Sequence, residues 1–152
     1  MKTKLLLVIV LFFGISLLNK AEEPVVPTCE HSAKVATKSI EGSEKLVVLW
    51  ATGDKEVAEK MLLMYTFNSK KFKWWDDITL VVWGPSAKLL SEDKDLQDYV
   101  KKIMEQGTVV KACKGCADMY GVSEKLTELG IDVKYMGELT DYFKEGRHIL
   151  SL

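Results

Sequence analysis

Three short, largely apolar runs constrain this chain more than any other feature: Leu46-Val47-Val48-Leu49-Trp50, Ile78-Thr79-Leu80-Val81-Val82-Trp83 and Thr108-Val109-Val110-Lys111-Ala112. Each is rich in β-branched residues and too short for a core helix. Continuous runs of this kind are strands buried on both faces, the pattern of a parallel sheet. Helical patterns separate them. Val57, Met61, Met64 and Tyr65 predict an amphipathic helix over 55–67, with Asp54 as its N-cap. Ser91, followed by Glu92 and Asp93, opens a second helix. Leu96, Tyr99, Val100, Ile103 and Met104 form its apolar face, and Gly107 closes it.

Beyond the third run come one or two short helices, broken at Gly121, restarted at Ser123 and ended at Gly130. Residues 131–136 alternate like a strand with one exposed face. A short helix over 139–145 ends at Gly146, and His148 to Leu152 form a last strand. Strands that alternate with helices imply right-handed β–α–β units. The expected fold is α/β: a three-layer α/β/α sandwich with a five-stranded, mainly parallel sheet and helices on both faces.

The chain has 152 residues, enough for one domain. Its beginning is of another kind. Lys2 and Lys4 precede a nearly unbroken apolar stretch from Leu5 to Leu18. As a helix this stretch rises about 21 Å, short of a hydrocarbon core of about 30 Å. It reads as the apolar region of an export signal over 1–21. The alternative is an uncleaved membrane anchor, which would bring membrane contact. Residues 22–44 hold Pro24, Pro27 and Gly42 without sustained periodicity and read as a flexible linker; 45–152 is the folded domain. The expected location is periplasmic or secreted.

Charge excludes one class of function. The chain carries 21 basic and 22 acidic residues, and Lys2, Lys4 and Lys20 precede every acidic one, so the mature part is more acidic than the net −1 of the whole. That argues against nucleic acid as a partner. Lys70-Lys71-Phe72-Lys73-Trp74-Trp75 is the one basic-aromatic cluster. It reads as a helix C-terminus whose lysines complement the dipole, followed by aromatics packed under the loop. Stacked bases or a membrane interface is the other reading. No cofactor motif is present: Gly53 lacks the companions of a dinucleotide fingerprint, and there is no phosphate loop. Cys29-Glu30-His31 has no partner ligands at zinc spacing, so no metal is expected either.

The chemistry centres on Cys113-Lys-Gly-Cys116. In open α/β sheets ligands gather at the carboxyl ends of strands. Three loops qualify: Thr52-Gly53-Asp54, Gly84-Pro85-Ser86 and the cysteine loop itself. A helix beginning near Cys113 would favour its thiolate, and Lys111 and Lys114 would add positive charge. The spacing also permits a Cys113–Cys116 disulfide. Covalent haem would need His at 117, which is Ala. Three cysteines leave at least one thiol over in an oxidising compartment. Asp54 reads as a cap, His148 as an edge or core residue, and Trp83 as core or a pocket wall.

From about residue 45 to 152 the chain resembles the DsrE/DsrF-like proteins, which include the TusD-type subunits of sulfur-relay complexes. The resemblance rests on a strand ending in Cys113, Gly121-Val122 eight residues beyond it, Leu129-Gly130-Ile131, and a closing short helix and strand. It implies that Cys113 carries sulfur as a persulfide, received from a donor and passed to an acceptor, whether protein or small thiol. It also implies a homo-oligomer, trimer or hexamer, and a sulfurtransferase-like sulfur carrier. Cys116 is not at the general family position. Cytoplasmic relays need no export signal, which keeps two alternatives open. One is a thiol-disulfide redox protein using Cys113 and Cys116. The other is a non-enzymatic oligomeric binding module whose cysteines are structural.

Overall fold

The computed structural model describes residues 44–152. The expected export signal, nearly all of the linker, Cys29 and His31 lie outside the described residues.

Five strands form one sheet: β1 (Lys45–Trp50), β2 (Asp77–Val82), β3 (Val109–Cys113), β4 (Asp132–Lys134) and β5 (His148–Ser151). Their order across the sheet is β4-β3-β2-β1-β5, and every pairing is parallel. From β1 to β4 each connection steps the same way, so right-handed crossovers place their helices on one face. The connection from β4 to β5 returns across the sheet and places its helix on the other face.

The helices of the first face are α1 (Lys55–Val57), α2 (Met64–Lys71), α3 (Pro85–Glu92), α4 (Lys94–Glu105), α5 (Lys114–Tyr120) and α6 (Ser123–Glu128). A π-helical stretch, Ala58–Leu63, joins α1 to α2, so helical structure runs from 55 to 71 and not to 67. Asp54 caps it as expected, accepting from the Val57 N–H at 2.9 Å. Its buried stripe, however, is Ala58, Leu62, Leu63, Thr66 and Ser69, whereas Met61 and Met64 are about half exposed. Small residues on the inner stripe let the helix lie close to the sheet, and the Thr66 hydroxyl is satisfied by the Leu62 carbonyl at 2.8 Å.

Helix α3 has no counterpart in the sequence reading. Gly84 turns the chain out of β2 at φ +66 and ψ −133, and Pro85 pre-sets the first helical turn. The Ser91 hydroxyl is therefore spent inside α3, on the Lys88 carbonyl. The cap of α4 is Asp93, which accepts from the Leu96 N–H at 3.1 Å. The predicted apolar face of α4 holds: Leu96, Val100 and Ile103 are buried. The Lys70–Trp75 segment is only partly as expected. Lys70 and Lys71 occupy the last turn of α2. Of the aromatics only Trp75 packs inward, its indole N–H 3.2 Å from the Tyr65 hydroxyl. Phe72 and Trp74 are more than half exposed and stack on each other.

Two apolar clusters divide the core. The larger joins Leu46, Val48, Trp50, Ile78, Leu80 and Val82 to the helices of the first face. The smaller lies on the other face, under α7 (Glu138–Lys144), and contains Val47, Val81, Cys113, Cys116, Met136, Leu139 and Tyr142. Seven residues of helix cover this face thinly. Leu49, Trp83 and Ile149 are half-buried there, and Val109 is exposed.

Candidate functional site

Cys113 is the last residue of β3 and the N-cap position of α5. Its strand neighbour in register is Lys134, at the end of β4. Connections leave these two adjacent strands toward opposite faces: β3 feeds α5 and α6, and β4 feeds α7. Cys113 thus stands at the crevice where the winding direction switches, the position at which open parallel sheets gather ligands. Alternation along β3 sends Val110 and Ala112 into the larger cluster and Cys113 into the smaller one.

Cys116 lies three residues on, in the first turn of α5, and faces the same cluster. Both thiols are free, with the residues 9% and 7% exposed. Burial pushes the Cys116 thiol above its ordinary value, and the adjacent Cys113 pushes it further; the backbone N–H of Gly84 works in the opposite direction. Gly84 belongs to the turn between β2 and α3, the second of the three candidate loops. Ser86 ties this turn down. Its buried hydroxyl lies 2.6 Å from the Trp50 carbonyl and 2.9 Å from the Trp83 N–H.

The two lysines do not act as expected. Lys111 is bound to Glu138 on α7 at 2.9 Å and donates to the Tyr142 hydroxyl at 2.8 Å. Lys114 is paired with Asp118 one turn along α5 at 2.6 Å, which holds its ammonium above the ordinary value. Each positive charge beside the cysteines is therefore matched by a carboxylate. The reason is periodicity: Lys114 and Asp118 are four apart on a helix, and the fold brings Glu138 over the middle of β3.

Glu138 and Tyr142 escaped the sequence reading because their partner is 27 and 31 residues away. They are one helical turn apart on α7, and that spacing was the available signal. Burial alone would raise the Glu138 carboxyl; Lys111 and Lys134 outweigh it and hold it below its ordinary value. Arg147 lies 4.3 Å from the Tyr142 ring and pairs with Asp77 at 3.1 Å, pinning the far end of α7 to the sheet.

Other residues fall elsewhere. His148 opens the edge strand β5, pairs with Leu46 in register and packs against the Trp75 ring, at the opposite end of the sheet from Cys113. It borders an apolar groove of about 610 Å3, lined also by Met61, Met64, Tyr65, Trp75 and Leu150. That groove is remote from the cysteines. Trp83 is half-buried on the cysteine face. Among the described residues no group of three or more His, Cys, Asp and Glu side chains is placed to hold a metal. Nor is any described helix long and apolar enough to cross a membrane.

A parallel three-layer α/β/α sheet with a cysteine pair at its switch point defines the class. The chain belongs to the DsrE/DsrF-like family, whose model matches residues 44–152. Solved structures agree. The conserved protein BT1422 of Bacteroides thetaiotaomicron, of unknown function, is 41% identical, with 72% of this chain and 95% of that chain covered at a TM-score of 0.70. The ychN protein of E. coli is 16% identical, over 71% of this chain and 98% of that one, at a TM-score of 0.57. MTH1491 of Methanobacterium thermoautotrophicum, also of unknown function, is 20% identical over the same shares at 0.56. The last two share the fold. No curated protein matches the chain. The fold is thus of the sulfur-relay type, and partners in sulfur relay and oligomerisation are general traits of the family.

Proposed function

We propose that this chain is an exported sulfur carrier that holds sulfane sulfur as a persulfide on Cys113. The observation that supports this reading most is the position of Cys113, at the carboxyl end of β3 beside the switch to β4. A sulfur atom added there lies at the carboxyl ends of the strands, where open parallel sheets gather ligands. The thiolate is the nucleophile: it attacks the outer sulfur of a persulfide donor, and the donor's thiolate leaves. Donor and acceptor are sulfur-relay proteins or small thiols. Export rests on Lys2, Lys4 and the apolar stretch from Leu5 to Leu18. A homo-oligomer, trimer or hexamer, is favoured by the thinly covered face where Leu49, Trp83, Val109 and Ile149 leave apolar surface.

The test is intact-mass spectrometry after incubating the reduced chain with glutathione persulfide and quenching at short times. One sulfur atom, about 32 Da, is expected on the wild type and on Cys116→Ser, and none on Cys113→Ser. Equal labelling of Cys113→Ser overturns the assignment.

A thiol-disulfide redox protein is the second reading, favoured by the free thiol of Cys116 beside Cys113. It requires a reversible Cys113–Cys116 disulfide and no persulfide on Cys113 at any time point.

A further inference from the structure

Cys116 is the one nucleophile of the site that a simple carrier does not use. It lies in the first turn of α5, three residues from Cys113, and the two side chains share one cluster with Met136, Leu139 and Tyr142. Only a residual fraction of either cysteine meets solvent. A carrier that hands its sulfur on intact has no use for a second thiol in reach, because attack at the inner sulfur destroys the cargo.

Resting on the carrier reading above, we propose that Cys116 is a resolving thiol, which makes the chain a sulfane-sulfur reductase that releases hydrosulfide. The Cys116 thiolate attacks the Sγ of a Cys113 persulfide. The bond from Sγ to the outer sulfur breaks, that sulfur leaves with the electron pair as hydrosulfide, and a Cys113–Cys116 disulfide forms. The sulfane sulfur gains two electrons and the two thiols give them up. The proton lost from Cys116 is balanced by the charge of the hydrosulfide. A dithiol reductant then reopens the disulfide, through a mixed disulfide, and resets the site. The Gly84 N–H favours the attacking Cys116 thiolate and offsets part of its burial.

The experiment follows the full-length chain, reduced and freed of reductant, after one equivalent of glutathione persulfide. Hydrosulfide and intact mass are read together for the wild type, Cys116→Ser, Cys116→Ala and Cys113→Ser. The wild type should release hydrosulfide and end about 2 Da below the reduced mass, with peptide mapping placing the disulfide at Cys113–Cys116. Both Cys116 variants should keep the added sulfur at least about tenfold longer, and two variants guard against a folding defect in one. Persulfide as long-lived on the wild type as on the variants, without hydrosulfide, overturns the resolving role and leaves the carrier intact. Absence of added sulfur from the wild type and both Cys116 variants at every time overturns the carrier reading, and the resolving role falls with it. A disulfide formed without hydrosulfide, equally with glutathione disulfide, assigns the pair to thiol-disulfide exchange instead.

Discussion

Lys111, in the middle of β3, donates to the Tyr142 hydroxyl on α7 at 2.8 Å while its ammonium is bound to Glu138 at 2.9 Å. These contacts join the cysteine strand to α7, the helix that covers its face among the described residues. Both charged side chains are mostly removed from water, 14% and 23% exposed. An ion pair in that setting is costly to break on one side only, because the remaining charge stays half-buried.

Glu138→Gln should therefore lower unfolding free energy by about 2 kcal/mol, read from urea midpoints at neutral pH. Tyr142→Phe removes one hydrogen bond and leaves the ion pair, so its cost should be smaller, about 1 kcal/mol. Equal losses in the two variants would mean that the carboxylate holds α7 no more firmly than the phenol does.

The same pair predicts an acid limb. The Glu138 carboxyl lies below its ordinary value in the fold, because Lys111 and Lys134 outweigh burial. As pH falls the unfolded chain takes up this proton first. The stability it contributes is thus complete above the ordinary carboxyl range and is lost as pH falls through the folded value. Urea midpoints measured from about pH 6 down to about pH 3 should fall less steeply for Glu138→Gln than for the wild type.

Gly84 has a backbone that other residues avoid, φ +66 and ψ −133, although a Cβ there would meet no atom within 4 Å. Gly84→Ala should cost about 1–3 kcal/mol from the backbone alone. If the turn shifts to relieve that strain, the N–H leaves Cys116, so alkylation of Cys116 should slow relative to Cys113. Peptide-level mass spectrometry after iodoacetamide reads that ratio.

Burial and the neighbouring Cys113 raise the Cys116 thiol, so fewer Cys116 thiolates exist at neutral pH than for an ordinary cysteine. The titratable groups in its cluster are Cys113 and Tyr142, and Tyr142 is itself bonded to the Lys111–Glu138 pair. Alkylation of Cys116 in the native protein should keep rising with pH beyond the point where a free thiol in the same buffer levels off. A plateau at or below that of the free thiol would contradict the raised value.

Strand and helix positions were legible wherever local patterning decides them. β1, β2 and β3, the cap at Asp54 and the apolar face of α4 follow from runs, periodicity and side-chain chemistry within a few residues. Helix α3 was not legible, because Gly84-Pro85 reads as an ending and the chain uses it as a restart. The buried stripe of the helical run from 55 to 71 was not legible for a related reason. Periodicity favoured the large methionines, whereas close approach to the sheet favours Ala58, Thr66 and Ser69.

The sequence by itself determined that this is a parallel α/β chain with Cys113 at the end of a strand and Cys116 three residues on. Those are matters of short-range pattern. Only the tertiary structure decided which face the cysteines occupy, that Lys111 and Lys114 are neutralised, and that Glu138 and Tyr142 come over the cysteine strand. Each depends on residues tens of positions apart, brought together by crossovers whose direction is set by sheet order. No local signal encodes that order. It follows from burying both sheet faces at once, and among the described residues it puts α7 over the cysteines.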